Sequence, residues 1–393
     1  MYDINEQTSR DHLLDANLEE RTRQAFAKHL RQFVFGTTRG VAQQAFAQRV
    51  APELARKDPA AARDRKRARE ALLQVPEYQF FCDLHRISQE QIWNSTADSV
   101  ERDADRLRAE FLALRNPKGS LQLNPELQIP EYLLAMDTHC MPGSYHTDWA
   151  ENDLSNGALY ERGSFLYTPS GGPANDGAGR ASLDFLRTKL PDFVPRRMLD
   201  LGCATCSPLF PYARAFPGTE IHAVDSGAPV LRYAHLHAEK EGITLHLRQA
   251  DAAATGYEDG MFDLVTAHIM FHETESYAIP QILAEAYRVL APGGVLLIVD
   301  LPNAGLIPDV FQQIVFDGDA YYNNEHFWMR MHDLDWAAEL RKVGFPAESI
   351  EIGAAPMQMY IAPSAEHPEP RWNKGRFGFF AVMARKAAAG SAK

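Results

Sequence analysis

Residues 196–210 read R-R-M-L-D-L-G-C-A-T-C-S-P-L-F, and this stretch decides the fold. Met198, Leu199 and Leu201 make a short apolar run of the kind that fills a buried strand. Gly202, Cys203, Ala204, Thr205 and Cys206 follow as a turn of small residues. Ser207 can then cap a helix whose first turn accepts Pro208. Strand, tight turn and helix start form the first half of a nucleotide-binding α/β unit, with helix amides aimed beyond the strand end. The turn is not a dinucleotide fingerprint, because Ala204 and Ser207 stand at the second and third glycines of G-x-G-x-x-G. It has no Gly-Lys-Ser/Thr ending either, so it is not a phosphate loop of that type.

Downstream the alternation of strand and helix is regular. Strands are expected at 220–224 (ending on Asp225), 244–248, 262–267 and 295–301, with helices at 228–241 and 278–290. A helix at 333–343 ends at Gly344, and residues 348–352 and 376–384 read as the last strands, with a Pro-rich loop at 354–375 between them. Such alternation implies parallel pairing through right-handed crossovers. Residues 302–332 form an aromatic-rich insertion, and 386–393 a loose tail.

Upstream the chain changes character. Apolar spacing predicts helices at 18–35, 41–54, 60–73, 77–93 and 99–114, with breaks at Gly36, Gly40, Pro59 and Pro76. The basic run Arg63, Arg65, Lys66, Arg67 and Arg69 lies among acids and reads as a solvated helix face. Residues 116–130 read as a linker and 131–180 as an irregular stretch rich in aromatic and titratable side chains, including His139, His146, Tyr160, Tyr167 and the loop 168–173. A short helix at 181–190 leads into the first strand. The fold class is therefore α/β: a seven-stranded, mostly parallel doubly wound sheet with an N-terminal all-α domain. The expected boundaries are 1–125 for the helical domain and 126–180 for a connector or lid. The sheet domain then takes 181–393, with its insertion at 302–332.

Composition narrows the partners. A formal charge of −12 argues against nucleic acid or an anionic membrane surface. The first ten residues are polar, without the apolar run of a secretory signal, and four cysteines give no disulfide framework; a cytoplasmic enzyme is expected. Cys203 and Cys206 have the spacing of a redox pair or half a zinc site, but no second pair completes it, and small residues lining a turn is the simpler reading.

The residues Asp200-x-Gly202-x-Ala204-x-Cys206 resemble motif I of the class I S-adenosylmethionine-dependent methyltransferases, whose ligand carries no phosphate. Further matches follow in order. Asp225 at the second strand end is placed to accept both ribose hydroxyls. Asp251-Ala252 stand where the family hydrogen-bonds adenine. Phe262-Asp263-Leu264-Val265 is similar to motif IV, and Arg288-Val289-Leu290-Ala291-Pro292-Gly293-Gly294 to the family's R-x-L-x-P-G-G turn. The resemblance implies S-adenosyl-L-methionine as cofactor and S-adenosyl-L-homocysteine as product. It implies a cofactor site of Asp200, Gly202, Cys203, Ala204, Asp225, Ser226, Asp251, Ala252, His268 and Tyr167.

Methyl transfer from a sulfonium is an in-line displacement, so alignment carries most of the catalysis, with a base where the acceptor must lose a proton. His272 and His268 are the catalytic candidates, four residues apart after motif IV. A pocket for a small-molecule acceptor is expected from His146, Tyr160, His272, Glu273, Tyr321, Trp328 and Met357. Two histidines with Glu273 are also metal-ligand types, but histidines after motif IV often only shape the pocket, and no metal is expected. A homodimer through the helical region is expected as well. Two other functions stay open: a macromolecule-directed methyltransferase docking through the helical domain, and an S-adenosylmethionine-binding protein that does not methylate. The first lacks the N/D-P-P-Y/F pattern at motif IV.

Overall fold

The computed structural model describes residues 13–167, 175–303, 306–361, 364, 367 and 371–390; the polar N-terminal ten, the loop 168–173 and the last three residues of the tail lie outside the described residues. Eight strands build one sheet: β1 (Ser120–Gln122), β2 (Arg197–Leu201), β3 (Glu220–Asp225), β4 (His246–Gln249), β5 (Phe262–His268), β6 (Leu290–Asp300), β7 (Glu351–Ile361) and β8 (Arg371–Arg385). Their order is β1-β4-β3-β2-β5-β6-β8-β7. The pairings from β1 through β6 are parallel, and β8 runs antiparallel to both β6 and β7.

Side chains alternate across this sheet as a doubly wound strand requires. Met198, Leu264, Leu297 and Val299 enter one core, while Leu199, Leu201, Val265, Leu296 and Ile298 enter the other. Two expectations need correction. The sheet has eight strands, because the stretch read as linker contains β1, paired in register with β4. Three residues reading Ser-Leu-Gln carry no periodicity, so only the edge of β4 makes them a strand. The Pro-rich loop is instead mostly a long hairpin, since β7 and β8 pair out to Ile361 and Arg371.

Helices α1 (Leu18–Phe33), α2 (Arg39–Ala45) and α3 (Ala51–Lys57) are joined by π-helical turns at Val34–Thr38 and Phe46–Val50. No break occurs at Gly36 or Gly40, which the long helix absorbs. After α4 (Arg65–Leu72), α5 (Pro76–Leu112) runs 37 residues where two helices were expected. The polar stretch between them stays helical because Ser95, Thr96 and Ser99 are buried; the Ser95 and Thr96 hydroxyls donate to Ile92 O and that of Ser99 to Glu20. The connector holds α6 (Glu131–Leu134) and a full helix α7 (Ser155–Tyr167), so it is less irregular than its composition implies. Then come α8 (Gly177–Lys189), α9 (Phe210–Ala215), α10 (Ala228–Lys240), α11 (Ala278–Val289), α12 (Val310–Tyr322), α13 (Trp328–His332) and α14 (Trp336–Val343). Among the described residues no helix is long and apolar enough to cross a membrane.

The helical part shares its cores with the rest of the chain. Ile92, Trp93 and Leu107 pack with Leu159, Leu166, Tyr233 and Leu236, and Val34, Tyr78 and Phe81 pack with Phe311, Ile314 and Val315 of the insertion. The basic run is in part an interface: Arg65 pairs with Asp317 at 2.8 Å and Asp333 at 2.7 Å, and Arg69 lies over the Tyr321 ring. The helices therefore act as a cap fused to the sheet. Phe311→Ala is expected to lower the stability of the whole protein by about 3–5 kcal/mol, measured by denaturant unfolding followed through both helix and sheet signals. A loss under about 1 kcal/mol would mean that the insertion and the cap do not share a core.

Candidate functional site

The first parallel strands end along one edge of the sheet, and their tips open onto a single cavity of about 400 Å³. The turn after β2 holds its shape through left-handed backbone at Gly202 (φ 65°), Ala204 (φ 43°) and Cys206 (φ 61°). A Cβ at position 202 would sit 2.5 Å from Met270 Sδ on a left-handed backbone, so any larger residue there meets backbone strain and must displace the Met270 side chain. Ala204 and Cys206 keep the turn without glycine. Cys206 is buried in the core, and burial raises the Cys203 thiol well above its ordinary pKa, so the pair is part of the packed turn and not a thiolate site.

Asp225 ties this turn to the next. Its Oδ2 accepts Ala204 N and its Oδ1 accepts Gly227 N, both at 2.8 Å. Burial raises the carboxyl pKa to about 6 in spite of those amides, with Glu273 and Asp200 adding repulsion. Gly227 admits the connector: a Cβ there would meet Tyr145 O at 2.4 Å. Asp251, beyond β4, accepts Ala253 N at 2.8 Å. Asp200 takes Thr266 Oγ1 (2.6 Å) and His268 Nδ1 (2.8 Å) on Oδ1, while its buried Oδ2 has no hydrogen-bond partner. Asp200, Gly202, Cys203, Ala204, Asp225, Ser226, Asp251, Ala252 and His268 all line this end of the cavity.

The rest of the lining is largely aromatic: Phe35, Trp93, Tyr145, Tyr160, Tyr167, Phe316, Trp328 and Met357 contribute, together with His139, His146, His272, Glu273 and Arg31. Arg31 is stacked between Phe35 and Tyr167, with ring centroids 4.5 and 4.3 Å from its guanidinium. Burial lowers the pKa of His146.

A polar cluster sits in this aromatic lining. Glu273 Oε1 accepts Tyr145 OH at 2.9 Å and lies 2.5 Å from His139 Nε2 and 3.5 Å from His272 Nε2. His139 Nδ1 faces Glu325 at 2.7 Å, and His272 Nδ1 faces Asp300 at 2.9 Å. Burial opposes the charge on both rings. Glu273 and Glu325 nevertheless raise the His139 pKa to about 10, and Asp300, chiefly, raises that of His272 to about 9. Burial acts upward on Glu273, but His139 and His272 outweigh it and hold its carboxyl below the usual range.

Several expected placements change. His268 is locked at both nitrogens, by Asp200 and by Ser182 Oγ at 2.7 Å, so it orients the strand end and has no nitrogen left for a reacting group. His272 Nδ1 is held by Asp300, which raises the ring's pKa, so its Nε2 is the nitrogen turned toward Glu273. Tyr167 contacts Arg31, His139 and Asn323 and lines the same cavity as the β2 turn. Tyr321 is 49% exposed beside Arg69 and does not line the cavity.

The sequence reading gave no site role to His139, Tyr145, Arg31 or Trp93. His139 and Cys140 both adopt left-handed backbone (φ 58° and 59°). That strain is held by α5, whose Gln89 Nε2 (2.9 Å) and Trp93 Nε1 (2.5 Å) both donate to His139 O. Two helix residues one turn apart thus aim a side chain of the connector at the site. Ala204→Gly is expected to raise stability by about 1 kcal/mol, because glycine meets the left-handed turn without the Cβ penalty. The measurement is the denaturant midpoint at unchanged slope, and a lower midpoint would show that the turn is not strained.

A family described as "Methyltransferase domain" matches residues 198–294. The demethylmenaquinone methyltransferase of Thermus thermophilus is 37% identical over 109 residues, which are 28% of this chain and 49% of that protein; the chain thus spans about half of that relative's length. The ubiquinone/menaquinone biosynthesis C-methyltransferase UbiE of Dinoroseobacter shibae is 30% identical over 186 residues, 43% of this chain and 74% of that protein. The solved structure of human N-acetylserotonin methyltransferase in complex with S-adenosylmethionine aligns with a TM-score of 0.40 and 16% identity, over 59% of this chain and 58% of the other.

Proposed function

The chain belongs to the class I S-adenosylmethionine-dependent methyltransferases, and from that membership we propose that it methylates a small aromatic hydroxyl compound, a phenol or hydroquinone, at oxygen or ring carbon. One observation carries this reading: a single cavity joins acid-tipped parallel strands at one end to an aromatic chamber with a buried carboxylate at the other. Two relatives named for menaquinone or ubiquinone methylation agree with an acceptor of this class.

The residues fit the cofactor. Asp225 is positioned for ribose hydroxyls and Asp251 for the adenine amino group. The unpartnered Oδ2 of Asp200 can accept an ammonium donor. When bound, the cofactor supplies an electrophilic methyl group on a sulfonium. The aromatic rings hold a planar acceptor and keep water out, and this alignment provides most of the rate. Glu273 stays ionised and accepts the hydrogen bond of the acceptor's hydroxyl. It need not be a strong base, because a hydroxyl oxygen gaining a methyl group becomes far more acidic than a carboxylic acid as the bond forms. The base expected at His272 is thereby reassigned to Glu273. The cap contributes Arg31, Phe35 and Trp93 to the chamber, which favours a small acceptor over macromolecular docking on that surface.

Radiolabelled methyl transfer, screened over phenols, hydroquinones, thiols and amines, tests the acceptor class. Label is expected in the hydroxyl compounds, and label confined to thiols or amines would overturn the reading. Asp225→Ala is expected to weaken cofactor binding by about 2–3 kcal/mol in calorimetry; unchanged affinity would remove Asp225 from the site. The pH dependence has a defined sign. The folded-state pKa near 6 lies above the ~3.9 of a free Asp, so the unliganded protein holds a proton on Asp225 below pH 6. Hydroxyl donors favour the carboxylate, so binding releases that proton, and affinity falls by up to about tenfold per pH unit below pH 6. Flat affinity from pH 5 to 7 would contradict this.

A further inference from the structure

The geometry points to a divalent transition-metal site formed by His139 Nε2, His272 Nε2 and a carboxylate oxygen of Glu273, opening into the aromatic part of the cavity. The three donor atoms lie within 4.8 Å of one another. Tetrahedral coordination at about 2.1 Å sets neighbouring donors about 3.4 Å apart. The His272–Glu273 separation of 3.5 Å matches that spacing, and the 2.5 Å His139–Glu273 contact opens by ~1 Å to reach it.

Two further observations single this cluster out from an ordinary ion pair. Each histidine presents Nε2 to the cluster while Nδ1 faces a buried carboxylate, Glu325 for His139 and Asp300 for His272. This is the arrangement that fixes the tautomer and direction of metal-bound imidazoles. His272 Nε2 is also fully buried and, among the described residues, makes no hydrogen bond beyond its long 3.5 Å contact with Glu273, which is weak satisfaction for a buried polar atom.

Imidazole and carboxylate donors of this kind suit Zn²⁺, Fe²⁺ or Co²⁺ better than Mg²⁺ or Ca²⁺. Three protein donors leave a coordination position facing the chamber. Resting on the methyl-transfer reading above, that position takes the acceptor's hydroxyl oxygen, which the ion acidifies as a Lewis acid. Metal binding itself does not depend on that reading. The sequence reading weighed His268, His272 and Glu273 as ligand types and expected no metal; the fold ties His268 to Asp200 and Ser182 and brings His139 beside the other two instead.

The test is direct binding to the full chain. Protein stripped with a chelator is titrated with Co²⁺, followed by its visible ligand-field bands, and with Zn²⁺ by calorimetry. One ion per chain is expected, with imidazole-type Co²⁺ bands. His139→Ala and Glu273→Gln should each lose at least about a hundredfold in affinity, and Glu325→Gln about ten- to a hundredfold. His246→Ala, outside the cluster, should bind as the parent does. If His139→Ala fails to fold, the isosteric Glu325→Gln and Glu273→Gln carry the comparison. Absence of stoichiometric binding, or binding unchanged in Glu273→Gln and Glu325→Gln, overturns the site. Calorimetry of S-adenosylmethionine on the same samples separates the outcomes: cofactor bound without metal sinks this inference alone, and metal bound without cofactor sinks the functional reading alone.

Discussion

Parallel pairing from β2 through β6 is the constraint on which everything else depends. Each crossover returns the chain so that successive strands end at the same edge. The residues at those ends meet wherever they lie in the sequence. Asp200, Asp225, Asp251, His268 and Asp300 come together for this reason alone. Asp225 then stitches the β2 and β3 turns into one rim, by accepting amides from both. The cofactor end of the cavity is a direct product of sheet topology.

The aromatic lining has a different origin. It is assembled on that edge from three separate parts of the chain: the helical cap, the connector and the insertion. The cap is more than a cover. Helix α5 holds the left-handed backbone of His139 through Gln89 and Trp93, and thereby delivers an imidazole to the carboxylate that follows β5. The insertion delivers Glu325, which sets the other face of the same ring, and Trp328, whose ring lies 5.8 Å from that of His272. A long helix is a suitable holder, since Ser95 and Ser99 tie it to Gln24 and Glu20 of α1 and Trp93 packs on Gly163 of α7. The polar cluster therefore depends on packing between elements that the minimal sheet does not contain.

The division between what the sequence discloses and what it hides follows the same line. Motif I, Asp225 and Asp251 were legible because each stands at a fixed step of a local strand–turn–helix pattern. Local patterns do not say which distant loop covers the pocket. Tyr167 was placed near the ligand by resemblance and Tyr321 by its position in the insertion; Tyr167 lines the cavity, whereas Tyr321 faces solvent. His139 was legible only as one of the connector's titratable side chains, because its exact place comes from a strained turn held by a helix far away in sequence. The eighth strand and the unbroken α5 escaped for a related reason, since neighbours in space override weak local preference there. His272 was recognised as important, but its protonation is set by Asp300 at the end of another strand, and only the assembled site discloses it.

The account turns on one arrangement: an adenosine laid across the β3 and β4 tips with its reactive end turned toward the chamber of His139, His272 and Glu273. A crystal structure with S-adenosylhomocysteine bound measures this most directly. The account predicts the ribose on Asp225, the adenine beside Asp251, and the thioether sulfur facing the Glu273 cluster across the space an acceptor would fill. An adenosine lodged elsewhere, or a sulfur turned away from that cluster, would contradict it.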